Sequence, residues 1–169
     1  MTIETLGEHA CFGGVQGFYR HASIATRSSM KFGVFVPPQA TNGSVPVLFY
    51  LAGLTCSEET FAIKAGAQQH AAAHGLMLVT PDTSPRDTGV RGKDAAWGFG
   101  TAVGFYLDAS QDPWNRHWHT ESYIVRELRA LECADGLDLV GAHRFASRVD
   151  SEDAMRRACE CARRLQPEA

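Results

Sequence analysis

The chain has 169 residues, 44% of them hydrophobic and 21% charged, with a formal net charge of -3 at pH 7. That length suits one domain around one core. The weakly acidic balance supplies no basic field for nucleic acid or an anionic membrane, and no apolar run approaches the length that spans a bilayer.

Residues 1–5 lack the positive start and apolar core of a secretory leader, so a cytoplasmic location is the expectation. Cys11, Cys56, Cys133, Cys159 and Cys161 are odd in number and irregularly spaced. Reduced thiols are expected rather than a disulfide framework.

Residues 31–36 are short, apolar and aromatic and stop at Pro37-Pro38, which predicts a strand. Asn42-Gly43 is a strong turn signal, so a hairpin-like reversal is expected within Thr41-Asn42-Gly43-Ser44. Residues 45–52 are apolar without alternation, as in a strand covered on both faces, with Pro46 tolerated at its start. Thr55 and Glu58 have capping-box spacing and predict a helix N-terminus. The alanine-rich residues 61–74 then read as one helix stopped by Gly75. Residues 76–79 read as a second buried strand, completing a βαβ unit with an expected right-handed connection.

Residues 83–115 are irregular and glycine-rich, with Gly89, Gly92, Gly98, Gly100 and Gly104 alternating with Trp97, Phe99, Phe105 and Tyr106. A loop that long is usually functional or disordered, and its aromatics argue against disorder. Residues 121–132, apolar at Tyr123, Ile124, Leu128 and Leu131, read as an amphipathic helix.

The tail changes character. Lysine is absent after Cys133, and Arg144, Arg148, Arg156, Arg157, Arg163 and Arg164 carry the positive charge. Asp150 or Ser151 could cap a helix presenting Met155, Ala158, Cys159, Ala162 and Leu165, ended by Pro167. Interleaved Glu152, Asp153, Glu160 and Glu168 favour a solvated helix over an RNA-binding one. The chain thus divides into residues 1–132 and a divergent, partly helical tail, 133–169.

Ligands of open α/β sheets bind beyond the carboxyl ends of strands, where loops enter helices. Gly53-Leu54-Thr55-Cys56-Ser57 occupies such a place. Unpaired amides at a helix start can hold developing negative charge, and a glycine lets backbone approach a substrate. On spacing alone, an ordinary capped turn is the commoner explanation.

The residues carry a resemblance beyond spacing. Cys11-Phe12-Gly13-Gly14, Met30-Lys31-Phe32, Leu51-Ala52-Gly53-Leu54-Thr55-Cys56, Pro81-Asp82-Thr83-Ser84-Pro85-Arg86 and Gly104-Phe105-Tyr106-Leu107-Asp108-Ala109 occur in order. Asp112-Pro113-Trp114 and Glu121-Ser122-Tyr123 extend the series. Together they resemble the S-formylglutathione hydrolase (esterase D) family from about His9 to Glu132.

The resemblance implies an α/β-hydrolase fold, here truncated, with a mostly parallel sheet and flanking helices. It implies a cytoplasmic serine thioesterase that converts S-formylglutathione and water to glutathione and formate, in formaldehyde detoxification, without a cofactor or metal. The substrate partner is a small glutathione thioester. No nucleic-acid or membrane partner is expected, and a homodimer is left open. The family uses a Ser-His-Asp triad and two backbone N–H groups for the oxyanion. By position Leu54 supplies one of these, and Gly53, Thr55, Cys56 and Trp97 are expected near the active site, Cys56 as a thiol-reagent target rather than the nucleophile.

The sequence also departs from the family. The family carries a Gly-His-Ser-Met-Gly-Gly elbow after the helix placed at 121–132, and no Gly-x-Ser-x-Gly occurs here. No triad serine, aspartate or histidine carries over; His143 and Ser147 lack the strained turn those roles need. The expectation is therefore an inactive chain, its tail arising from a frameshift or rearrangement near codon 131, the other reading being a natural short variant whose tail forms a cap. The alternative function is a non-catalytic binding or interaction module on half of the hydrolase fold.

Other constellations are weaker. His70 and His74 have helical zinc spacing, but alanines replace the glutamate base between them. His117 and His119 could line a substrate entrance. Cys159 and Cys161 lack the two-residue spacing of redox or zinc pairs. Asp82, Asp87, Asp94 and Asp108 suit turn and cap roles, with Asp108 bracing the aromatic loop.

Overall fold

A computed structural model describes residues 2–103 and 105–133 of the chain. It contains β1 (Ile3–Cys11), β2 (Gly14–Ser23), β3 (Ser28–Val36), β4 (Val47–Phe49) and β5 (Met77–Pro81), ordered β1-β2-β3-β5-β4 in one sheet. Two short helices, α1 (Glu58–Lys64) and α2 (Ala67–His74), connect β4 to β5. A later helical run comprises α3 (Thr120–Ser122), a π-helical stretch (Tyr123–Leu128) and α4 (Arg129–Cys133).

Among the described residues the sheet is mostly antiparallel, which corrects the expectation of a mostly parallel one. Only β4 and β5 run parallel; β1–β2, β2–β3 and β3–β5 are antiparallel. The cause is connection length. β1 and β2 are joined by Phe12 and Gly13 alone, both with positive φ (48° and 77°). A two-residue link of that geometry allows only a hairpin. β4 and β5 have a helical connection between them and are parallel, the βαβ unit read from the sequence.

The expected reversal at Asn42-Gly43 is not a hairpin. Pro38–Asn42 forms a 3-10 turn and β5 lies between β3 and β4. The strand expected at 45–52 is ordered only as Val47–Phe49 and is not covered on both faces, with Leu48 49% exposed. It pairs with β5 alone among the described residues. Helix 61–74 is two helices, because Gly66 takes a left-handed conformation between them (φ 60°). Gly75 ends α2 in the same conformation, as expected.

Alternation on β3 and β5 separates two cores. Phe32, Val34 and Val36 with Met77 and Val79 pack against Tyr123, Ile124 and Leu128 of the late helical run. Phe35 and Leu78 point the other way, towards Ala71, with Phe61 and Ala67 packed around them. Helices therefore cover both faces of the sheet centre. Among the described residues no helix is long and apolar enough to cross a membrane. Residues 134–169, including the expected capped helix, His143, Ser147, Cys159 and Cys161, lie outside the described residues.

Glu127 docks the π-helical stretch on the β2–β3 turn. Its carboxylate accepts from Ser23 Oγ and from the amides of Ile24 and Ala25, all at 2.8 Å. Beside it His21 is buried, with Nε2 3.1 Å from Tyr123 Oη and its ring stacked on the tyrosine. Burial pushes the His21 imidazole below its ordinary value of 6.5, while the Glu127 carboxylate opposes that shift.

The unfolded chain therefore takes up the His21 proton first. This contribution to stability is complete above pH ~6.5 and is lost as pH falls from there towards the lowered folded value. Urea unfolding should show the midpoint falling on acidification across that window, with a shallower fall in His21→Asn. Glu127→Ala should cost about 2–4 kcal/mol at neutral pH, since three donors lose a charged acceptor.

Candidate active-site loop

β4 and β5 both end at the same side of the sheet, and the candidate site is built where they end. Residues 50–57 leave β4 and enter α1, while residues 82–86 leave β5. The helix entry is capped two residues later than the sequence suggests. Ser57, not Thr55, is the N-cap: Ser57 Oγ accepts from the Glu59 amide (3.3 Å), and the Ser57 amide donates to Thr60 Oγ1 (3.0 Å). Thr55 does not cap because its backbone is left-handed (φ 68°), costly for a β-branched residue.

That conformation is held from outside. The Thr55 amide donates to the Ala102 carbonyl (2.9 Å), and Cys56 N–H donates to Gly53 O (3.2 Å). Ala102 is itself left-handed (φ 61°), and its amide donates to Ser84 Oγ at 2.8 Å. The amides of Gly53 and Leu54 have no hydrogen-bond partner among the described residues. Both residues are exposed, Leu54 at 38%. Gly53 has open space where a side chain would project, and its φ is not positive. Nothing in the fold itself demands a glycine there.

From β5, Asp82 anchors the loop. Its carboxylate is only 3% exposed and receives Arg86 Nε (2.6 Å), Arg86 Nη2 (2.8 Å) and the Thr83 amide (2.7 Å). Arg86 Nη2 also donates to the Cys56 carbonyl (3.1 Å), which accepts from Thr83 Oγ1 as well (2.8 Å). Tyr106 Oη donates to the Ala52 carbonyl (2.5 Å), fixing the loop's other end. Glu58, the first residue of α1, is also buried; burial and the neighbouring Asp82 charge raise its carboxyl above the ordinary range. The Asp82 hydrogen bonds hold the Arg86 guanidinium more firmly protonated.

The other expected residues are scattered. Trp97 is 77% exposed in a turn closed by Phe99 N–H to Ala96 O (3.3 Å). Cys56 is half-buried, and Cys56 and Cys11 are free thiols. His70 and His74 are exposed on α2. His117 Nδ1 lies 2.9 Å from the Thr26 carbonyl and His119 Nε2 2.6 Å from the Asn115 carbonyl. Asp108 braces the aromatic loop, accepting from the Ser122 amide (3.0 Å) and Ser122 Oγ (2.5 Å). No cluster of three or more His, Cys, Asp or Glu side chains suited to a metal occurs among the described residues. Thr83, Ser84 and Arg86 lie in a block that carried the resemblance but were given no role from sequence, although Asp82 and Arg86 stand four apart there.

Accessible backbone amides on a braced loop, beyond the carboxyl end of a strand paired in parallel, give the layout of an α/β esterase. The chain belongs to the Esterase family ("Putative esterase"), whose model matches residues 23–131. Within that family it is a homologue of the S-formylglutathione hydrolases. It is 44% identical over 131 residues to the enzyme of Mus musculus, covering 78% of this chain and 46% of the relative. It is 47% identical over 131 residues to that of Paracoccus denitrificans, covering 78% and 47%. The solved S-formylglutathione hydrolase from Agrobacterium tumefaciens superposes with a TM-score of 0.74 at 38% identity, over 85% of this chain and 49% of that one. The chain thus spans about half the length of these relatives.

Arg86→Ala leaves a buried carboxylate without its countercharge. Because Arg86 is itself part-exposed, the cost should be about 2–3 kcal/mol in urea unfolding, below that of a fully buried pair. Glu58→Gln, which removes an unfavourable buried charge, should leave stability at pH 7 unchanged or raised.

Proposed function

We propose that this chain carries the oxyanion-stabilising part of a thioesterase acting on S-formylglutathione, and that its 169 residues alone do not turn that substrate over. The carrying observation is the Leu54 amide, which has no partner among the described residues while the amides of Thr55 and Cys56 are both bonded. An amide fixed in place before the reaction stabilises charge on a tetrahedral oxygen without reorganising. Gly53 leaves open space beside it for the thioester carbonyl. The 43–47% identity to S-formylglutathione hydrolases supports this substrate class.

In the proposed reaction a serine oxygen attacks the thioester carbon, a histidine takes its proton, and the carbonyl oxygen becomes negative against Leu54 N–H. Collapse expels the glutathione thiolate, which the imidazolium protonates, and water then releases formate. Gly53, Thr55, Cys56 and Trp97 border the substrate in this reading, in the cytoplasm and without a cofactor. The serine, histidine and aspartate have no assigned position in this sequence, which holds no Gly-x-Ser-x-Gly. That absence also supports the second reading, a non-catalytic module that binds through the same loop. A tail produced by a frameshift near codon 131 belongs to the first.

The purified chain should hydrolyse S-formylglutathione no faster than buffer, and a fluorophosphonate should label no serine, since loss of a serine nucleophile removes about six orders of magnitude in turnover. Mixing it with the separately expressed C-terminal half of the Paracoccus enzyme should restore turnover. Leu54→Pro, which deletes the amide, should cut that restored rate about 10²–10³-fold. Restored turnover indifferent to Leu54→Pro would sink the oxyanion assignment. Thioester binding without any restored turnover would favour the module.

A further inference from the structure

A cavity of about 280 Å³ lies apart from residues 53–56, walled by Phe99, Val103, Phe105, Leu107, Trp114 and Trp118. Hydrogen bonds join its lining residues to one another. The Ala109 amide donates to Trp118 O (2.7 Å), Thr120 Oγ1 donates to Leu107 O (3.0 Å), and Trp118 Nε1 donates to Gly100 O (3.2 Å). These bonds zip residues 107–109 onto 118–120 and fix the Trp118 ring, so the concavity is preformed. Trp114 meets Phe99 and Trp118 edge to face, at centroid distances of 4.4 and 4.7 Å. Phe105 stands exposed at the rim.

The charge of this cavity is one-sided. Among the described residues Asp108 is the only ionisable side chain that lines it, and no lysine or arginine does. His119 Nδ1 stands 3.8 Å from Asp108 Oδ2 but is not part of the lining. Both carboxylate oxygens accept from Ser122, and each keeps a further lone pair. Aromatic faces attract cations, and a carboxylate at the same opening adds to that attraction while repelling anions. The volume matches the small end of ligand pockets.

We propose that this cavity binds a small monovalent organic cation with an apolar or aromatic body, its charge set against the Trp114 ring and the Asp108 carboxylate. This is a different ligand class from an anionic glutathione thioester. The site neither uses nor requires the chemistry of the loop at Leu54.

Calorimetric titration of the full chain with phenyltrimethylammonium, benzyl alcohol and benzenesulfonate tests it. The cation should bind saturably at one site, about tenfold tighter than the alcohol, and the sulfonate should not saturate. Asp108→Asn should weaken the cation about fivefold while sparing the alcohol. Phe105→Ala, at an exposed position with little bearing on folding, should weaken both, and Ile63→Ala, on exposed α1, neither. Equal affinity for the three probes, no saturable cation binding, or cation binding untouched by both cavity substitutions would overturn the proposal. Turnover does not enter the readout, so failure of the thioesterase reading would leave this result interpretable.

Discussion

Asp82 sits where β5 ends, and its carboxylate has almost no access to water. A carboxylate in that position must be paired, because an uncompensated buried charge costs several kcal/mol. The pairing requirement is met by Arg86 and the Thr83 amide, and this fixes more than charge. Once the guanidinium is locked against Asp82, the second Nη2 hydrogen can only point along a set direction, and the Cys56 carbonyl lies there. An electrostatic necessity on β5 thereby becomes a positional constraint on the loop leaving β4. The left-handed Thr55 and Ala102, which cost of order 1–3 kcal/mol each, persist because Ser84, Ala102 and Arg86 hold the surrounding backbone.

This arrangement makes sense of where the parallel pair falls. A meander of hairpins places consecutive loops at alternate ends of a sheet, so it does not bring the exit loops of two adjacent strands together. The β4–α1–α2–β5 crossover does gather them, and residues 50–57 and 82–86 consequently meet. The antiparallel β1–β2–β3 unit serves a different purpose. It supplies Tyr19, Met30, Phe32 and Val34 to the core on which Tyr123, Ile124 and Leu128 rest.

The features legible in the sequence are those where one physical signal dominates. β3, β5 and the late helical run were readable because Phe32, Val34, Val36, Val79, Tyr123, Ile124 and Leu128 are buried apolar residues at clear spacing. β1 carries Glu4, Thr5, Gly7, Glu8 and His9 and lies at the sheet edge, so no apolar pattern marks it. β2 hides behind Gln16, Gly17 and His21, polar or small residues that are nonetheless buried. The Thr55–Glu58 spacing matches a capping box, whereas the Ser57–Thr60 box that forms instead has threonine where glutamate or glutamine is usual. Backbone strain at Thr55 decided between them, and composition does not display strain. Leu54 could be nominated from the resemblance, but that the amides of the next two residues, Thr55 and Cys56, are spent is a fact of three dimensions. The Asp82–Arg86 pair was written in the chain as an i,i+4 spacing outside any helix, where such spacing carries little meaning until the turn is known.

The residues 100–103 join the two concave regions of the molecule. Ala102 gives its carbonyl to Thr55, while Gly100 gives its own to the Trp118 indole. Gly100 is irreplaceable there: its φ is +86°, and an added Cβ would fall about 2.0 Å from the Lys93 carbonyl oxygen. Val103 is buried and lines the aromatic cavity. One short backbone segment is therefore pinned to the loop at Leu54 on one side and to the Trp114–Trp118 wall on the other. Energetic coupling between sites needs a shared element whose position both can bias, and this segment is such an element. The acceptor of the Trp118 indole and the carbonyl that holds Thr55 in its strained conformation stand only two residues apart on that segment. The geometry of the candidate oxyanion loop thus depends on two anchors of different kinds, a buried ion pair beneath it and an aromatic wall beside it.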